Sequence, residues 1–136
     1  MSNIETIQQL YADVGRGDIA AILSRLSEAV EFDYGLTSTD VPWLQPRRGR
    51  AEITKFFEAF DALQINSLKP KIFFETGLIV LVLVDEDMTV KSTGKRVVEE
   101  DQVHIWHFDV EGQIVRHRAR VDTYLHWSAQ QTAVEA

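Results

Sequence analysis

The spacing of apolar residues changes from a helical to a strand period near Ile65, and this change restricts the fold more than any other feature of the chain. Before it, helical spacing in three segments favours helices that begin near residues 4, 19 and 50. Alternating patterns favour strands at 28–35, 71–75, 77–84, 89–91, 96–108 and 113–123, with later turns at 85–87, 92–94 and 109–112. Helices followed by an antiparallel meander predict the α+β class, with three N-terminal helices packed on one face of a strongly curved antiparallel sheet.

The size and charge of the chain limit its partners. Its 136 residues suit one domain over residues 1–136, with a C-terminal tail from about 128 to 136. A net charge of -7 argues against nucleic acid or an anionic membrane as a partner. The longest apolar run, 77–84, is too short to span a bilayer as a helix. The chain has no cysteine and no basic leader, which suits a cytoplasmic protein.

Two histidines three residues apart, His104 and His107, suggest a metal site at first sight. Successive side chains of a strand point to opposite faces, so residues at odd separation cannot bind one ion together. We therefore predict no metal site. On this count His107 belongs to an outer face that also carries Arg116 and Arg118, which is typical of a solvated surface or a subunit contact.

The predicted hairpin gives His104 a different partner. A turn centred on Val110 and Glu111 places His104 directly opposite His117 on the inner face. A three-residue loop would shift the register by one and break this pairing. Two neighbouring buried imidazoles should hold at most one proton near neutral pH, and so could act as base and acid. The other interpretation is a pair of hydrogen-bonded core histidines.

Several short motifs carry a family resemblance over nearly the whole chain. With this order of elements, the sequence resembles a SnoaL-like domain of the nuclear transport factor two-like superfamily, which includes ketosteroid isomerase and the polyketide cyclases. The motifs are Gly17-Asp18, Val41-Pro42-Trp43, Arg48-Gly49-Arg50, Thr93-Gly94-Lys95, Gly112-Gln113-Ile114-Val115 and Asp122-Thr123. The resemblance implies a cone-shaped half-barrel with an internal pocket, and a homodimer formed through the sheet face.

The resemblance also implies a set of site residues. Its catalytic candidates are His104, His117, Asp33 and Tyr34, and its substrate-binding candidates are Tyr11, Trp43, Phe57, Trp106 and Asp122. Asp33 aligns with the general base of the family, whereas strand alternation places it on the face opposite Phe32 and Tyr34. Asp122 has a second interpretation, in which it closes the last strand by hydrogen bonding.

The residues and the resemblance together favour an enzyme that moves protons. We expect a small hydrophobic carbonyl or polyketide-like substrate, no cofactor, and an isomerisation, cyclisation or dehydration. The alternative is a domain of the same fold that binds a small hydrophobic ligand without catalysis.

Overall fold

The computed structural model describes residues 1–35 and 40–132. The helices are α1 (Asn3–Arg16), α2 (Ile19–Ser24), α3 (Arg50–Phe60) and α4 (Thr123–Ala129), with a short 3-10 helix at Pro42–Leu44. The strands are β1 (Leu26–Asp33), β2 (Arg47–Arg48), β3 (Leu63–Thr76), β4 (Ile79–Val90), β5 (Arg96–Phe108) and β6 (Ile114–Arg120). Among the described residues, no helix is both long enough and apolar enough to cross a membrane.

Helix α1 has well-defined ends and one apolar face. Ser2 and Glu5 form a capping box at its start, and Gly17 ends it with a positive φ of 66°. Ile7, Leu10 and Tyr11 are buried at helical spacing and face the sheet. This spacing brings Tyr11 over the inner face of the strands.

The six strands form an open sheet in the order β2-β1-β6-β5-β4-β3. This arrangement confirms the predicted α+β class and half-barrel. Strands β3 to β6 form the predicted antiparallel meander, but β1 pairs with β6 in parallel. No short turn joins β1 to β6, so hairpin geometry does not fix their relative direction.

The predicted turn at 85–87 is wrong, because β4 continues from Ile79 to Val90. Its side chains alternate between the two faces along the whole strand, so Glu86 points inward while Asp85 and Asp87 point outward. The outward carboxylates pair with Lys71 and Arg96. These ion pairs let three consecutive acidic residues remain within a strand.

A β-bulge in β5 brings two polar residues to the inner face. Val84 pairs with Gln102 and Glu86 pairs with Glu99, so β5 has one more residue than β4 between these pairs. The extra residue is accommodated at Asp101, which has a φ of 58°. Glu99 and Gln102 therefore share a face despite their odd separation. Without the bulge, strand alternation would place Glu99 on the outer face.

The predicted register of the β5–β6 hairpin is also wrong. Trp106, not His104, lies opposite His117, and His104 lies opposite Ala119. Asp109 N–H bonds to the Gln113 carbonyl around a three-residue loop, which shifts the register by one. An irregularity between His107 and Phe108 shifts it by one more. Because the total shift is two, both histidines remain on the inner face, as diagonal neighbours.

The C-terminal segment contains a helix that the sequence reasoning missed. Helix α4 runs to Ala129, so the predicted tail from residue 128 overlaps its end, and residues 133–136 lie outside the described residues. Asp122 caps this helix by accepting a hydrogen bond from the backbone N–H of Leu125 at 3.0 Å. The helix buries His126 against the sheet.

Candidate active site

A cavity of about 290 Å³ lies between the helices and the inner face of the sheet. Its walls are mainly aromatic and aliphatic, and no lysine or arginine is among the described residues that line it. Seven of the nine predicted site residues line it: Tyr11, Tyr34, Trp43, Phe57, His104, Trp106 and His117. Such a lining suits an uncharged, largely apolar ligand.

Asp33 lies outside the cavity. Its carboxylate accepts hydrogen bonds from the backbone N–H of Gly35 at 2.6 Å and from Arg116 at 2.8 Å. These bonds hold the pKa of Asp33 below its usual value. Strand alternation therefore predicts its position correctly, and the family alignment does not, because the inner position of this strand belongs to Phe32.

Asp122 also does not line the cavity, and its contacts fit the strand-closing interpretation. Its side chain caps α4, and its backbone N–H donates to Glu99 Oε2 at 2.9 Å. These bonds join the end of β6 to β5 and α4. Asp122 thus fixes the helix that carries His126.

His104 is buried and bonded at both ring nitrogens. Its Nδ1 lies 2.5 Å from the Tyr11 hydroxyl, and its Nε2 lies 3.0 Å from Gln102 Oε1. The indole N–H of Trp106 donates to the same Tyr11 oxygen at 3.2 Å. Burial lowers the pKa of His104 to about 4, so the ring is neutral at pH 7.

His117 has the opposite hydrogen-bond status. It is 5% exposed, it forms no hydrogen bond with a described residue, and its Nδ1 is shielded from solvent. Its ring stacks on Trp106 and meets the edge of Phe32, with ring centroids 4.0 Å and 4.9 Å away. Burial, with a smaller effect from His104, keeps its pKa well below the usual value. His117 therefore offers a neutral imidazole with unused hydrogen-bonding capacity.

A chain of buried polar groups extends behind His104. Gln102 Nε2 donates to Glu86 Oε1 at 2.8 Å and to Glu99 Oε1 at 2.9 Å. Glu99 Oε1 also bonds to His126 Nε2, and the indole N–H of Trp43 donates to His126 Nδ1 at 2.9 Å. This chain connects α1, the sheet and α4 below the cavity.

The two carboxyl groups of this chain differ in their environment. Burial raises the pKa of Glu86, which lines the cavity. Burial would also raise the pKa of Glu99, but hydrogen bonds from His126 and from the Asp122 backbone outweigh it and lower the pKa. Glu99 is therefore the firmly ionised member of the pair.

Sequence reasoning missed Glu86, Gln102, Glu99 and His126. A strand through residues 85–87 would have placed Glu86 inward, and Gln102 already had the parity of His104. Glu99 and His126 gave no such signal, because a bulge and an unpredicted helix position them.

Glu86, Glu99 and His126 form a group whose potential ligand atoms lie within 4.8 Å of one another. Carboxylate and imidazole groups are suitable zinc ligands. However, the Trp43 N–H occupies Nδ1 of His126, so the hydrogen of the neutral ring is on Nε2 and points to Glu99. In this arrangement the imidazole presents no free lone pair to an ion.

Helices packed on an open, mainly antiparallel sheet around an inner cavity define the NTF2-like class of fold. The chain belongs to the SnoaL-like domain family, whose model matches residues 7–117. No curated protein matches the sequence closely.

Solved structures show the same fold at low sequence identity. An NTF2-like protein of unknown function from Burkholderia pseudomallei is 23% identical, with a TM-score of 0.82 over 95% of this chain and 98% of that one. TerC, co-crystallized with polyporic acid, is 24% identical, with a TM-score of 0.77 over 93% and 96%. SalBIII, an epoxide hydrolase/cyclase-like enzyme of salinomycin pyran ring formation, is 21% identical, with a TM-score of 0.70 over 90% and 92%.

Proposed function

We propose that the protein is a cofactor-independent acid/base enzyme that acts on a small hydrophobic carbonyl or polyketide-like compound. The observation that carries this proposal is the imidazole of His117, which lines an aromatic cavity and whose buried Nδ1 has no hydrogen-bond partner among the described residues. A buried polar group without a partner costs stability, so its presence calls for an explanation, and a catalytic role is one. A ligand that bonds to His117 would meet this unused capacity.

His117 is the general base in this proposal. Its lowered pKa keeps the ring neutral at pH 7, with a lone pair available to remove a proton next to a carbonyl group. Tyr34 supplies the hydrogen bond to the developing oxyanion: its ring lies 6.3 Å from that of His117, and burial raises its pKa so that the hydroxyl keeps its hydrogen. Return of the proton to another carbon gives isomerisation.

His104 has a supporting role, since both of its ring nitrogens are already bonded. This differs from the expectation that the two histidines share the proton transfers. Asp33 has no catalytic role in this proposal because its carboxylate is on the other side of the sheet. Glu86 is the proton donor in this proposal, because its pKa is raised and it lies in the cavity wall.

The named structural neighbours are consistent with this substrate class. SalBIII is described as an epoxide hydrolase/cyclase-like enzyme, and TerC was crystallized with polyporic acid. At these sequence identities the similarity supports a shared fold. The proposed chemistry is argued from the residues of this chain. The apolar lining and the lack of a described cation in it favour an uncharged compound.

Deuterium exchange tests the proposed proton transfer without knowledge of the natural substrate. 2-Tetralone is a small hydrophobic ketone whose α-hydrogens can be followed by NMR in deuterated buffer. The wild-type protein should accelerate exchange by about 100-fold or more over buffer, a typical contribution of a positioned base. His117→Ala should return the rate to that of buffer.

Two matched variants show whether the effect belongs to the cavity. His107→Ala removes an imidazole of the outer face, and Asp33→Asn removes the charge of the aligned carboxylate; both should retain exchange. Loss of exchange in Asp33→Asn with a retained fold would contradict the assignment of the base to His117.

Ligand binding without catalysis is the second candidate function. The observation that favours it is the complete hydrogen bonding of His104, which leaves fewer reactive groups in the cavity than the sequence predicts. In the same NMR experiment, shifts of cavity resonances on addition of 2-tetralone, with no faster exchange, would favour binding over catalysis.

We also propose that a homodimer forms through the outer face of the sheet. Cross-strand pairing aligns Phe74, Leu81 and Ile105 in one row that continues through Arg118 to Asp33. Phe74 is 61% exposed and its strand neighbour Ile72 is 53% exposed, and neighbouring exposed apolar side chains mark interaction sites. Sedimentation velocity should show a dimer for the wild type and a monomer for Phe74→Lys. A wild-type monomer at all concentrations would contradict the proposal.

A further inference from the structure

Gln102 lies between two carboxyl groups and one imidazole, in the wall of the cavity. Its Nε2 is 2.8 Å from Glu86 Oε1 and 2.9 Å from Glu99 Oε1, and its Oε1 is 3.0 Å from His104 Nε2. The side chain is 3% exposed, so water does not compete for these bonds. All three partners belong to the adjacent strands β4 and β5.

The carboxyl groups decide which way the amide points. An amide nitrogen has two hydrogens to donate, and an amide oxygen has none. Glu99 accepts hydrogen bonds from His126 and from the Asp122 backbone and is held ionised, so it cannot donate to an amide oxygen. A reversed amide would place two acceptor oxygens 2.9 Å apart in a buried site. The oxygen of Gln102 must therefore face His104.

The direction of the amide then sets the tautomer of His104. An amide oxygen only accepts, so His104 must carry its hydrogen on Nε2. Its Nδ1 is left with a lone pair, and the Tyr11 hydroxyl must donate to it. The Tyr11 oxygen accepts from Trp106, so every bond of this network has one donor and one acceptor.

We propose that Gln102 is a positioning residue that fixes His104 as the Nε2–H tautomer, and thereby directs the Tyr11 hydroxyl hydrogen away from the ligand. This inference rests on the proposed use of the cavity as a ligand site. It adds that the Tyr11 oxygen in the cavity wall acts as a hydrogen-bond acceptor. A ligand group that meets the Tyr11 oxygen must donate a hydrogen bond. Tyr11 thus favours a hydroxyl or enol group at its position, and oxyanion stabilisation is left to Tyr34.

Nitrogen-15 NMR reads the tautomer directly. In the ligand-free protein at pH 7, long-range proton–nitrogen spectra of His104 should show a protonated Nε2 and an unprotonated Nδ1. A protonated Nδ1 in the wild type would overturn the proposal, whatever the variants show. Because no substrate is present, this result is independent of the deuterium exchange that tests the proposed function.

Two variants separate positioning from general packing. Gln102→Met keeps the length of the side chain and removes the amide, so the ratio of the Nε2–H to the Nδ1–H form should fall by about tenfold or more. Glu86→Gln leaves Glu99 to orient the amide, so the Nε2–H form should persist. An unchanged tautomer in a folded Gln102→Met protein would show that Gln102 does not fix it. If Gln102→Met does not fold, the wild-type spectrum and Glu86→Gln still decide the question.

Discussion

Trp106 lies directly opposite His117 across the β5–β6 pair, and the two rings stack with centroids 4.0 Å apart and planes 28° apart. Phe32 approaches the same imidazole edge-on, and His104 lies 5.4 Å away. These aromatic rings cover His117 but form no hydrogen bond with its ring nitrogens. This packing explains both its low pKa and its unused hydrogen-bonding capacity.

Replacement of the two inner histidines by phenylalanine should have opposite effects on stability. His117→Phe removes a buried polar group that has no hydrogen-bond partner in residues 1–35 and 40–132, and should raise the free energy of unfolding by about 1 kcal/mol. His104→Phe leaves the Tyr11 hydroxyl and the Gln102 oxygen without their partner, and should lower it by about 2–4 kcal/mol. Urea denaturation measures both changes.

His107→Phe is the matched control for this comparison, since it changes the same residue type on the outer face. Its imidazole accepts one half-buried hydrogen bond from Arg118, so we expect a loss of about 1 kcal/mol or less. Equal destabilisation by His117→Phe and His104→Phe would contradict the assigned difference in their hydrogen bonding.

Stability should fall as the pH decreases from 7 to 5. Burial lowers the pKa of His104 from 6.5 to about 4, so the unfolded chain binds a proton in this range and the folded chain does not. At 1.36 kcal/mol per pH unit, His104 alone should cost about 2 kcal/mol at pH 5. The lowered pKa of His117 acts in the same direction.

Glu86 opposes this trend, because its raised folded-state pKa adds stability as the pH falls. Denaturation midpoints at several pH values should therefore give a shallower slope for His117→Phe and a steeper slope for Glu86→Gln than for the wild type. A flat wild-type profile between pH 5 and 7 would show that the inner histidines are not desolvated as the structure places them.

The fold could be predicted from the sequence because its main signals are local. Helical and alternating spacing gave the class and the boundaries of β5, and alternation alone placed Asp33 outside the cavity. The register of the hairpin and the inward position of Glu99 could not be predicted, since each depends on an extra residue in one strand. His104 and His117 stayed on one face only because the hairpin register shifts twice by one residue. A total shift of two residues preserves the face of each side chain.

The bulge at Asp101 provides a test of how the polar chain is built. A φ of 58° suits glycine, asparagine or aspartate. A β-branched residue adopts it only with backbone strain. Asp101→Gly and Asp101→Val both remove the ion pair with Lys71, so their difference isolates the backbone. The valine variant should be less stable by about 1–2 kcal/mol in urea denaturation. Equal stabilities would mean that the bulge is not strained in this way.

The polarity of the Tyr11 wall predicts a preference between two matched ligands. 2-Naphthol and 2-methoxynaphthalene have the same ring system, but only the naphthol can donate a hydrogen bond. If the hydrogen of Tyr11 points to His104, the naphthol should bind about tenfold more tightly, as measured by titration calorimetry.

Three variants show which acceptor the naphthol uses. Tyr11→Phe should remove the preference, because it deletes the acceptor oxygen, and Gln102→Met should reduce it, because Tyr11 can then turn its hydrogen toward the ligand. His117→Phe should keep the preference, since it leaves the network of Tyr11, His104 and Gln102 unchanged. A preference lost in His117→Phe and kept in Tyr11→Phe would mean that the free imidazole, rather than the tyrosine, accepts the ligand hydroxyl.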